Sequence, residues 1–468
     1  MKSVHEMKEH PKAKEAYALL HKGILALNRA EEQGIRIDLD YCYRKEKELT
    51  EQIQEIESRL FSTNFYKHWK HSLGGKKPNI NSDDQLAKFL YQTKKYQPVK
   101  YTESGKGSTD EEALKGLGVS EIDDLLKMRK LRKLRDTYLK GFVKEQVNGY
   151  LHPHFNLHIA RTFRSSSNAP NFQNIPKRDE EAKKITRKAL YPRPGHQLLA
   201  VDYGGIEVRI AACYNHDDTM IQYIKNPESD MHGDMAQQIF MLDDQPEGFK
   251  TLRNSAKNGF VFPQFYGDYF GNNAYSMACD WGQLPKGKWK NGQGIQIGDQ
   301  SLSDHLIKNN IKSIDSFTEH IKHIEKDFWE RRFPDYAQWK DKTWAEYQKR
   351  GYVDMLTGFR CKGLMSYNDV TNYPIQGTAF HCLLWSFVEL DRILRKKKMK
   401  TRIIGQIHDE MVIDVYPPEL HDLIDLLYKI MTKRIRKHWK WIIVPLAIEV
   451  DLGDIDASWN DMEPYIED

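Results

Sequence analysis

Two aspartates occupy positions that suit a carboxylate for binding a hard cation. The first, Asp202, closes the short apolar run 198–201, which predicts a buried strand, and residues 203–205 predict a turn before a helix that begins at Ile206. A carboxylate at a strand end projects into the cleft beyond the sheet, where oxygen ligands hold divalent cations. An aspartate that merely caps the following helix fits the same pattern, so this alternative stays open.

The second aspartate, Asp409, lies in a predicted β-hairpin. Residues 401–416 are apolar on both sides of His408, Asp409 and Glu410, which predicts that these polar residues form the turn. The sequence does not determine whether Asp202 and Asp409 meet. If they do, they could hold two Mg²⁺ ions about 4 Å apart, the arrangement that polarises both the attacking and the leaving oxygen in phosphoryl transfer.

Two cations one helical turn apart, Arg253 and Lys257, predict a site for an anion. At i and i+4 they share a helix face and repel each other unless an anion lies between them, and a triphosphate is such an anion. Aromatic residues on which a base could stack follow directly: Phe260, Phe262, Phe265 and Tyr266. Packing of these aromatic side chains in the core is the alternative, and it stays open.

The elements that must position these residues follow from apolar periodicity. Residues 1–150 have helical spacing, residues 150–214 change to a mixed strand and loop pattern, and residues 216–350 are again mostly helical. A glycine-rich stretch at 282–298 interrupts the last segment and predicts a long loop.

Length and composition predict a globular chain of about three domains. The sequence has 468 residues, of which 40% are hydrophobic, and a net charge of +5. No apolar run approaches the ~18 residues of a membrane span, and the start has no signal-peptide core, so we expect a cytoplasmic chain with no membrane partner. The five cysteines are far apart, which argues against a disulfide framework or a zinc ribbon.

Positive charge is concentrated in two segments of the chain, although the net charge is small. Residues 127–140 and 392–402 each hold seven basic residues on predicted helix surface. Such clusters can neutralise a phosphate backbone, although a solvated helix face is the alternative.

Taken in chain order, these residues resemble the DNA polymerase I family, the family A DNA polymerases. Residues 201–209 resemble the first palm motif DYSxIELR, residues 253–267 the fingers motif RxxxK followed by FxxxYG, and residues 406–410 the last palm motif xxHDE. Smaller matches lie at 162–167, 170–176 and 372–379. The resemblance covers nearly the whole chain and is to a polymerase module alone, of phage or bacterial type.

The resemblance implies an α+β right-hand polymerase fold. The helical thumb would be residues 1–150, the palm with its antiparallel sheet residues 151–215 and 351–468, and the helical fingers residues 216–350. The implied function is template-directed addition of dNMPs to a primer 3′ end, in DNA replication, by two-metal-ion nucleotidyl transfer. Primer-template DNA and dNTPs would be the partners.

A proofreading exonuclease is not expected in this chain. The thumb-like pattern is already under way by Gly34, which leaves no room upstream for a nuclease domain. A separate exonuclease or processivity factor is compatible with this expectation.

The resemblance also assigns roles to residues. Asp202, Asp409 and the Tyr203 carbonyl would bind two Mg²⁺ ions. Arg253 and Lys257 would hold the triphosphate, with Lys257 as proton donor to pyrophosphate. The other nucleotide-binding residues would be Phe262, Tyr266, Glu207 and His408. The residues in contact with DNA would be Arg164, Asn171, Gln173, Asn372, Gln376 and Glu410.

Two other functions stay open: a single-subunit RNA polymerase-like nucleotidyltransferase, and a non-catalytic DNA-binding protein with a polymerase fold. Glu207, a bulky acid close behind Asp202, resembles the barrier of the DNA enzymes to a 2′-hydroxyl and argues against the first. The presence of both aspartates and both phosphate-binding cations argues against the second.

The chain departs from the family pattern at three positions. Phe163 replaces the glycine ahead of Arg164 and Ser165 replaces the leucine after it, which leaves the backbone geometry there open. Asn368 stands where many relatives carry an arginine, so one DNA contact is expected to be missing.

The fingers motif also contains one residue too many. Phe262 follows Lys257 by five residues instead of four, and on an α-helix five residues turn about 500°, so Phe262 would point roughly 140° away from Lys257. A one-residue π-bulge would restore the register, and Pro263 already weakens the hydrogen-bond ladder. We predict a bulged or broken helix at 258–262 with Phe262 as the stacking residue; the alternative is that Phe260 takes this role.

Overall fold

Two units of the chain each have their own hydrophobic core. The computed structural model describes residues 12–98, 101, 102, 105–177, 179–280, 288–292, 294–407 and 409–466. Of these, the first unit holds residues within 1–46, 134–227 and 333–468, and the second holds residues within 47–133 and 228–332. The thumb, palm and fingers boundaries stay a prediction, because each unit takes segments from more than one of the predicted parts.

Helices predominate, as the sequence predicts. In chain order the α-helices are α1 (Ala13–Gln33), α2 (Leu39–Ser62), α3 (Asn64–Ser72), α4 (Asp83–Ala87), α5 (Glu111–Lys115), α6 (Ser120–Arg132), α7 (Lys140–Glu145), α8 (Glu180–Arg187), α9 (Ile206–Asn215), α10 (Asp218–Lys225), α11 (Met231–Phe240), α12 (Phe249–Ala256), α13 (Phe262–Phe265), α14 (Phe270–Asp280), α15 (Leu302–Lys308), α16 (Ile314–Asp327), α17 (Pro334–Arg350), α18 (Tyr367–Lys396), α19 (Leu420–Tyr428) and α20 (Ile435–His438). The π-helical segments are Lys88–Thr93, Lys133–Leu139, Lys257–Val261, Phe328–Arg332 and Lys429–Arg434, and short 3₁₀ turns lie at Phe172–Asn174, Pro417–Glu419 and Trp459–Asp461.

The strands are short apart from those of one central sheet. They are β1 (Ile35–Ile37), β2 (Tyr150–Leu151), β3 (His154–Asn156), β4 (Ser166–Asn168), β5 (Leu190–Tyr191), β6 (Gln197–Tyr203), β7 (Gln296–Ile297), β8 (Gln300–Ser301), β9 (Tyr352–Asp354), β10 (Arg360–Lys362), β11 (Arg402–Ile407), β12 (Glu410–Val415), β13 (Ile448–Leu452) and β14 (Glu463–Pro464). The central sheet lies in the first unit and has the order β11-β12-β6-β13-β14.

The central sheet is antiparallel, and its register places the predicted site residues together. β6 pairs with β12 such that Asp202 lies opposite Glu410, and with β13 such that Asp202 lies opposite Glu449. β11 and β12 form the predicted hairpin, and β6 is the predicted strand, which ends one residue later, at Tyr203. Every residue of β12 is buried, including the two charged residues Glu410 and Asp414, which explains why its apolar residues do not alternate with exposed polar ones.

The long helix α18 anchors the strand that carries Asp202. Ser366 and Asp369 form a capping box at its start. Further along, the Ser386 hydroxyl lies 2.9 Å from the hydroxyl of Tyr203, whose side chain is buried. Helix α1 packs against α18 at Gly23, where an added Cβ would lie 2.9 Å from the Leu384 side chain, so a larger residue would require Leu384 to shift.

The core of the second unit contains a group of aromatic side chains. Phe260, Phe317 and Phe328 are each at most 1% exposed. Next to them the Gln264 side chain accepts a hydrogen bond from Trp329 Nε1 at 2.7 Å and donates one to Asn273 Oδ1 at 2.7 Å. A buried amide with partners on both sides fixes the orientation of α13.

The predicted glycine-rich loop is described only in part. Residues 281–287 and 293 lie outside the described residues. The described remainder ends in β7, which pairs with β8 and leads into α15. No helix of the described residues is long and apolar enough to cross a membrane.

Candidate active site

Asp202 lies on β6 and does not cap the following helix. Its Oδ1 accepts a hydrogen bond from the Tyr203 backbone N–H at 2.7 Å. Gly205, with a φ of 60°, occupies the N-cap position of α9, and no side chain caps this helix. The alternative of an ordinary N-cap aspartate is therefore wrong, and the Asp202 side chain is 31% exposed near the end of the strand.

Asp202 lies near Asp409, because β6 and β12 pair with Asp202 opposite Glu410, the residue that follows Asp409. Burial raises the pKa of Asp202 to about 7; the charge of Lys177 opposes this shift, and the charges of Asp409 and Glu410 add to it. Carboxylates raise each other's pKa only when they are close. The strand ends thus bring three carboxylates into one group.

Two cations face these carboxylates. Lys177 Nζ lies 3.1 Å from Glu410 Oε2 and 3.5 Å from Asp202 Oδ2. Arg164 lies 3.5 Å from Asp409 Oδ1 and 3.9 Å from Glu207 Oε1. Lys177 is a site residue that the sequence reasoning missed; a lysine directly after the motif at 170–176 was the available signal.

The loop that carries Arg164 has the geometry that a glycine would adopt. Phe163 has a φ of 56°, in the left-handed region, which costs a residue with a Cβ roughly 1–2 kcal/mol. Its ring packs on Phe359, with 4.9 Å between centroids, and this contact offsets part of the strain. The replacement of the family's glycine therefore leaves the left-handed backbone in place.

Helix α18 approaches this loop closely at Gly377. An added Cβ would lie 2.5 Å from the Thr162 carbonyl oxygen and 2.5 Å from Met355 Cε. Only glycine permits this approach, so the glycine of the motif at 372–379 sets the distance between α18 and the Arg164 loop. Asn372 and Gln376 lie on α18 and are partly exposed.

The other predicted DNA-contacting residues surround the same sheet edge. Gln173 Nε2 donates to the Gln406 backbone oxygen at 3.1 Å and to its side-chain Oε1 at 3.0 Å, so Gln173 is tied to β11. Asn171 is exposed at the start of the 3₁₀ turn. His408 lies outside the described residues.

The predicted π-bulge in the fingers motif is confirmed. α12 ends at Ala256, residues Lys257–Val261 are π-helical, and α13 begins at Phe262. The bulge returns Phe262 to the face of Lys257, whose Nζ lies 5.3 Å from the Phe262 ring centroid. Tyr266 is 43% exposed, whereas Phe260 is 0% exposed and packs edge-on against Phe328. The burial of Phe260 argues against the alternative in which it is the stacking residue, and the stacking role of Phe262 stays a prediction.

Two further residues of the second unit join Arg253 and Lys257, and the sequence reasoning missed them. Asp230 pairs with Arg253 in a bidentate ion pair, with distances of 2.6 and 2.8 Å. His232 packs edge-on against Phe262 at 5.5 Å. Burial, together with the charges of Lys257 and Arg253, lowers the pKa of His232 to about 4, so its imidazole is neutral. An acid and a histidine two residues apart, within the segment 216–350 that is predicted to be mostly helical, were the available signal.

The comparisons with known proteins show the family of the chain. The family model described as DNA polymerase family A matches residues 40–280 and 312–461. The chain belongs to this family. Residues 281–311, which include the glycine-rich stretch, fall between the two matched segments of the family A model.

Relatives include three bacterial DNA polymerases I. The chain is 28% identical to DNA polymerase I of Geobacillus stearothermophilus over 454 residues, which cover 94% of the chain and 45% of the relative. It is also 28% identical to the enzyme of Bacillus subtilis, with 93% and 44% covered, and to the thermostable enzyme of Thermus thermophilus, with 92% and 46% covered. The chain thus spans about half the length of the curated relatives it matches.

The fold resembles a solved family A structure. The POL domain of Pol1 from M. smegmatis, in complex with DNA primer-template and dNTP, matches with a TM-score of 0.72 and 24% identity, over 94% of this chain and 70% of that one. The right-hand polymerase fold and the family predicted from the sequence are therefore confirmed.

The palm residues suit a divalent cation, although side chains alone do not complete a site. Among the residues that the structure describes, no group of three or more His, Cys, Asp and Glu side chains is arranged to hold a metal ion. However, the strand ends concentrate carboxylates, and the buried Glu410 Oε1 has no hydrogen-bond partner. Oxygen donors with an excess of negative charge are the ligands that hard cations prefer, so the residues present fit such an ion.

Proposed function

We propose that this chain is a template-directed DNA polymerase, which adds deoxynucleotides to a primer 3′ end. The observation that carries the proposal is the carboxylate group at the ends of β6 and β12, in a chain that belongs to DNA polymerase family A. The proposed partners are primer-template DNA and dNTPs. The palm would extend over residues 151–215 and 351–468, with the thumb at 1–150 and the fingers at 216–350.

Two Mg²⁺ ions are proposed as cofactors. Asp202, Asp409 and the Tyr203 carbonyl would hold them. When bound, these ions neutralise charge at the reacting phosphorus and lower the pKa of the primer 3′-hydroxyl.

The second unit would bind the triphosphate. Arg253 is held by Asp230 at 2.6 Å, so the guanidinium must exchange this carboxylate for phosphate oxygens when a nucleotide arrives. Lys257 lies beside the ring of Phe262, and in the proposal the ring stacks on the base while the ammonium holds the phosphates. Tyr266, which is exposed, would lie along the same nucleotide.

The proposed reaction moves one proton off the attacking group and one onto the leaving group. The primer 3′-hydroxyl gives its proton to water as its oxygen forms a bond to the α-phosphorus, and the bond from this phosphorus to pyrophosphate breaks. Lys257 donates a proton to the leaving pyrophosphate. General acid catalysis of this kind typically contributes about 10²- to 10⁴-fold.

The first unit would position the primer, the template and the sugar. Glu207 is proposed to exclude the 2′-hydroxyl, and His408 to contact the incoming nucleotide. The residues proposed to contact DNA are Arg164, Asn171, Gln173, Asn372, Gln376 and Glu410. Arg164 is already aligned by its ion pairs with Asp409 and Glu207.

Primer extension with purified protein tests the function. Asp202→Asn and Asp409→Asn should each lower the extension rate roughly a thousandfold, because several kcal/mol of charge stabilisation are lost, while primer-template binding is retained. Glu463→Gln on β14 is the matched control and should extend like the wild type. Extension by Asp202→Asn within tenfold of the wild-type rate would refute the assignment.

The same assay measures proofreading. The sequence predicts that this polypeptide does not remove a mismatched 3′ end. Degradation of a mismatched primer that persists in Asp202→Asn and Asp409→Asn would contradict this prediction.

A further inference from the structure

Lys177 occupies an unusual position between two strands of the palm sheet. It follows Pro176 shortly after the 3₁₀ turn Phe172–Asn174, and its side chain is 53% exposed. Its ammonium lies 3.1 Å from Glu410 Oε2 and 3.5 Å from Asp202 Oδ2. A single positive charge therefore bridges the cross-strand carboxylate pair of β6 and β12.

The ammonium is charged in this position. Burial lowers the pKa of Lys177, but the charges of Glu410 and Asp202 outweigh burial, so the pKa is raised overall. Arg187 also lies near Glu410, yet its guanidinium is buried over the Trp459 ring at 4.7 Å and is fixed there. Lys177 is thus a cation in contact with Asp202 that has a flexible stem and access to solvent.

We propose that Lys177 is a tethered counterion that competes with a divalent cation for Asp202, and so sets the metal concentration at which the palm site fills. The inference rests on the proposed function, because it takes Asp202 as a metal ligand. It adds a residue that positions the ligand, Lys177, to the residues that hold the ion.

The chemistry of lysine suits this role. A lysine ammonium is a compact, strongly hydrated charge on a stem with several rotatable bonds, so it can leave one carboxylate at small cost. Its shorter contact is to Glu410, and the ammonium can give up Asp202 and still keep one carboxylate partner. An arginine at this position would hold both carboxylates with its fork of donors and be harder to displace.

Competition between Lys177 and a divalent cation should change the metal affinity by a measurable factor. The half-exposed Lys177 ammonium lies 3.5 Å from Asp202 Oδ2. It repels a divalent ion bound to Asp202 with a Coulomb energy between the value for bulk water and the value for a protein surface. Removal of this charge should therefore tighten metal binding about tenfold, which corresponds to about 1.4 kcal/mol.

Binding of Mn²⁺ to the 468-residue chain, without DNA or nucleotide, tests the proposal. Free Mn²⁺ is measured by electron paramagnetic resonance for the wild type, Lys177→Met, Lys177→Arg and the control Lys188→Met, an exposed lysine at the end of α8. We expect Lys177→Met to bind about tenfold more tightly. Lys177→Arg should bind no more tightly than the wild type, and Lys188→Met should match the wild type.

The outcomes separate this inference from the proposed function. Equal affinity of Lys177→Met and Lys188→Met, with binding that Asp202→Asn abolishes, would overturn the inference and leave the function intact. Wild-type binding that neither Asp202→Asn nor Asp409→Asn reduces would refute the metal site itself.

Thermal melting gives a second measurement. Lys177→Met leaves Asp202 and Glu410 without their shared counterion, so its melting temperature in EDTA should fall below that of Lys188→Met. Addition of Mg²⁺ should raise the melting temperature of Lys177→Met more than that of Lys188→Met. Equal increases would contradict competition at Asp202.

Discussion

Asp202 on β6 lies directly opposite Glu410 on β12, in register, and Asp409 immediately precedes Glu410. Strand pairing, rather than a flexible loop, therefore sets the spacing of these carboxylates. Because side chains alternate between the faces of a strand, a slip of one residue would turn Glu410 away from Asp202. Like charges directly opposite each other are destabilising, and Lys177 compensates this repulsion by contacting both.

Glu207 should control the choice of sugar. It lies in the first turn of α9, shortly after Asp202, and its carboxylate is within 3.9 Å of Arg164. Glu207→Ala removes a bulky side chain, so ribonucleotide incorporation relative to deoxyribonucleotide should rise roughly 10- to 200-fold, as for other changes of pocket size. Single-nucleotide extension with each nucleotide measures the ratio.

A charge-only variant separates size from electrostatics. Glu207→Gln keeps the bulk but removes the negative charge that faces Arg164, so its sugar ratio should stay close to that of the wild type. A ratio that rises equally in Glu207→Gln and Glu207→Ala would show that the charge, not the size, of Glu207 discriminates.

Phe262 and Phe260 should respond differently to truncation. Phe262 lies beside Lys257, whereas Phe260 is completely buried. Phe262→Ala should weaken nucleotide affinity about 5- to 150-fold, because stacking on a base contributes about 1–3 kcal/mol. Phe260→Ala should instead lower the free energy of unfolding by about 3–5 kcal/mol. Single-turnover extension and denaturant unfolding measure the two effects, and a larger affinity loss for Phe260→Ala would contradict the assignment.

Features that depend on neighbouring residues were predictable from the sequence. The five-residue step from Lys257 to Phe262 requires a change of helical register, and a π-bulge is the smallest change that provides it. Likewise, the apolar runs around Asp202 and Asp409 allow few structures other than a buried strand and a hairpin. Such features are set by residues that are near each other in the sequence, so their prediction does not require knowledge of tertiary contacts.

Contacts between distant parts of the chain were not predictable. Lys177 and Glu410 are 233 positions apart, and only the folded sheet shows that they meet. The basic cluster at 127–140 is another example, since Arg129 pairs with Asp83 and Arg132 pairs with Glu57. The sequence gives the number of charges there, but the acids that neutralise them come from other helices.

Gly377 should be required for the geometry of the Arg164 loop. A methyl group at position 377 would lie 2.5 Å from the Thr162 carbonyl oxygen, and backbone cannot yield as a flexible side chain does. Gly377→Ala should therefore displace Arg164 and lower the extension rate about 100-fold, in line with misplacement of positioning groups by about 1 Å.

A helical glycine without close neighbours provides the control for Gly377→Ala. Gly141 on α7 has no atom within 4 Å of an added Cβ. Gly141→Ala should leave the extension rate unchanged and stabilise the chain by about 0.5–1 kcal/mol. Equal extension rates for the two variants would refute the positioning role of Gly377.

The buried His381 should make the protein less stable in acid. His381 is 0% exposed, its Nδ1 lies 2.7 Å from the Thr357 hydroxyl, and its ring stacks on Phe359 at 3.9 Å. Burial lowers the pKa of His381 to about 3, against about 6.5 in an unfolded chain. Between these values the unfolded state binds a proton that the folded state does not. Stability therefore falls by about 1.4 kcal/mol for each pH unit below about 6.5, and this loss is absent above that pH.

A comparison of slopes isolates the contribution of His381. His381→Gln cannot take up this proton when it unfolds. Its free energy of unfolding should therefore fall less steeply than that of the wild type between about pH 6 and pH 4, with slopes that differ by about 1.4 kcal/mol per pH unit. The loss of the ring contacts lowers the stability of His381→Gln by a similar amount at every pH and does not change the slope. His421→Gln, at an exposed position on α19, serves as the control and should follow the wild-type slope. Urea unfolding followed by tryptophan fluorescence across this pH range gives the three curves. Parallel curves for the wild type and His381→Gln would show that the folded chain accommodates the protonated imidazole, and the prediction would then be wrong.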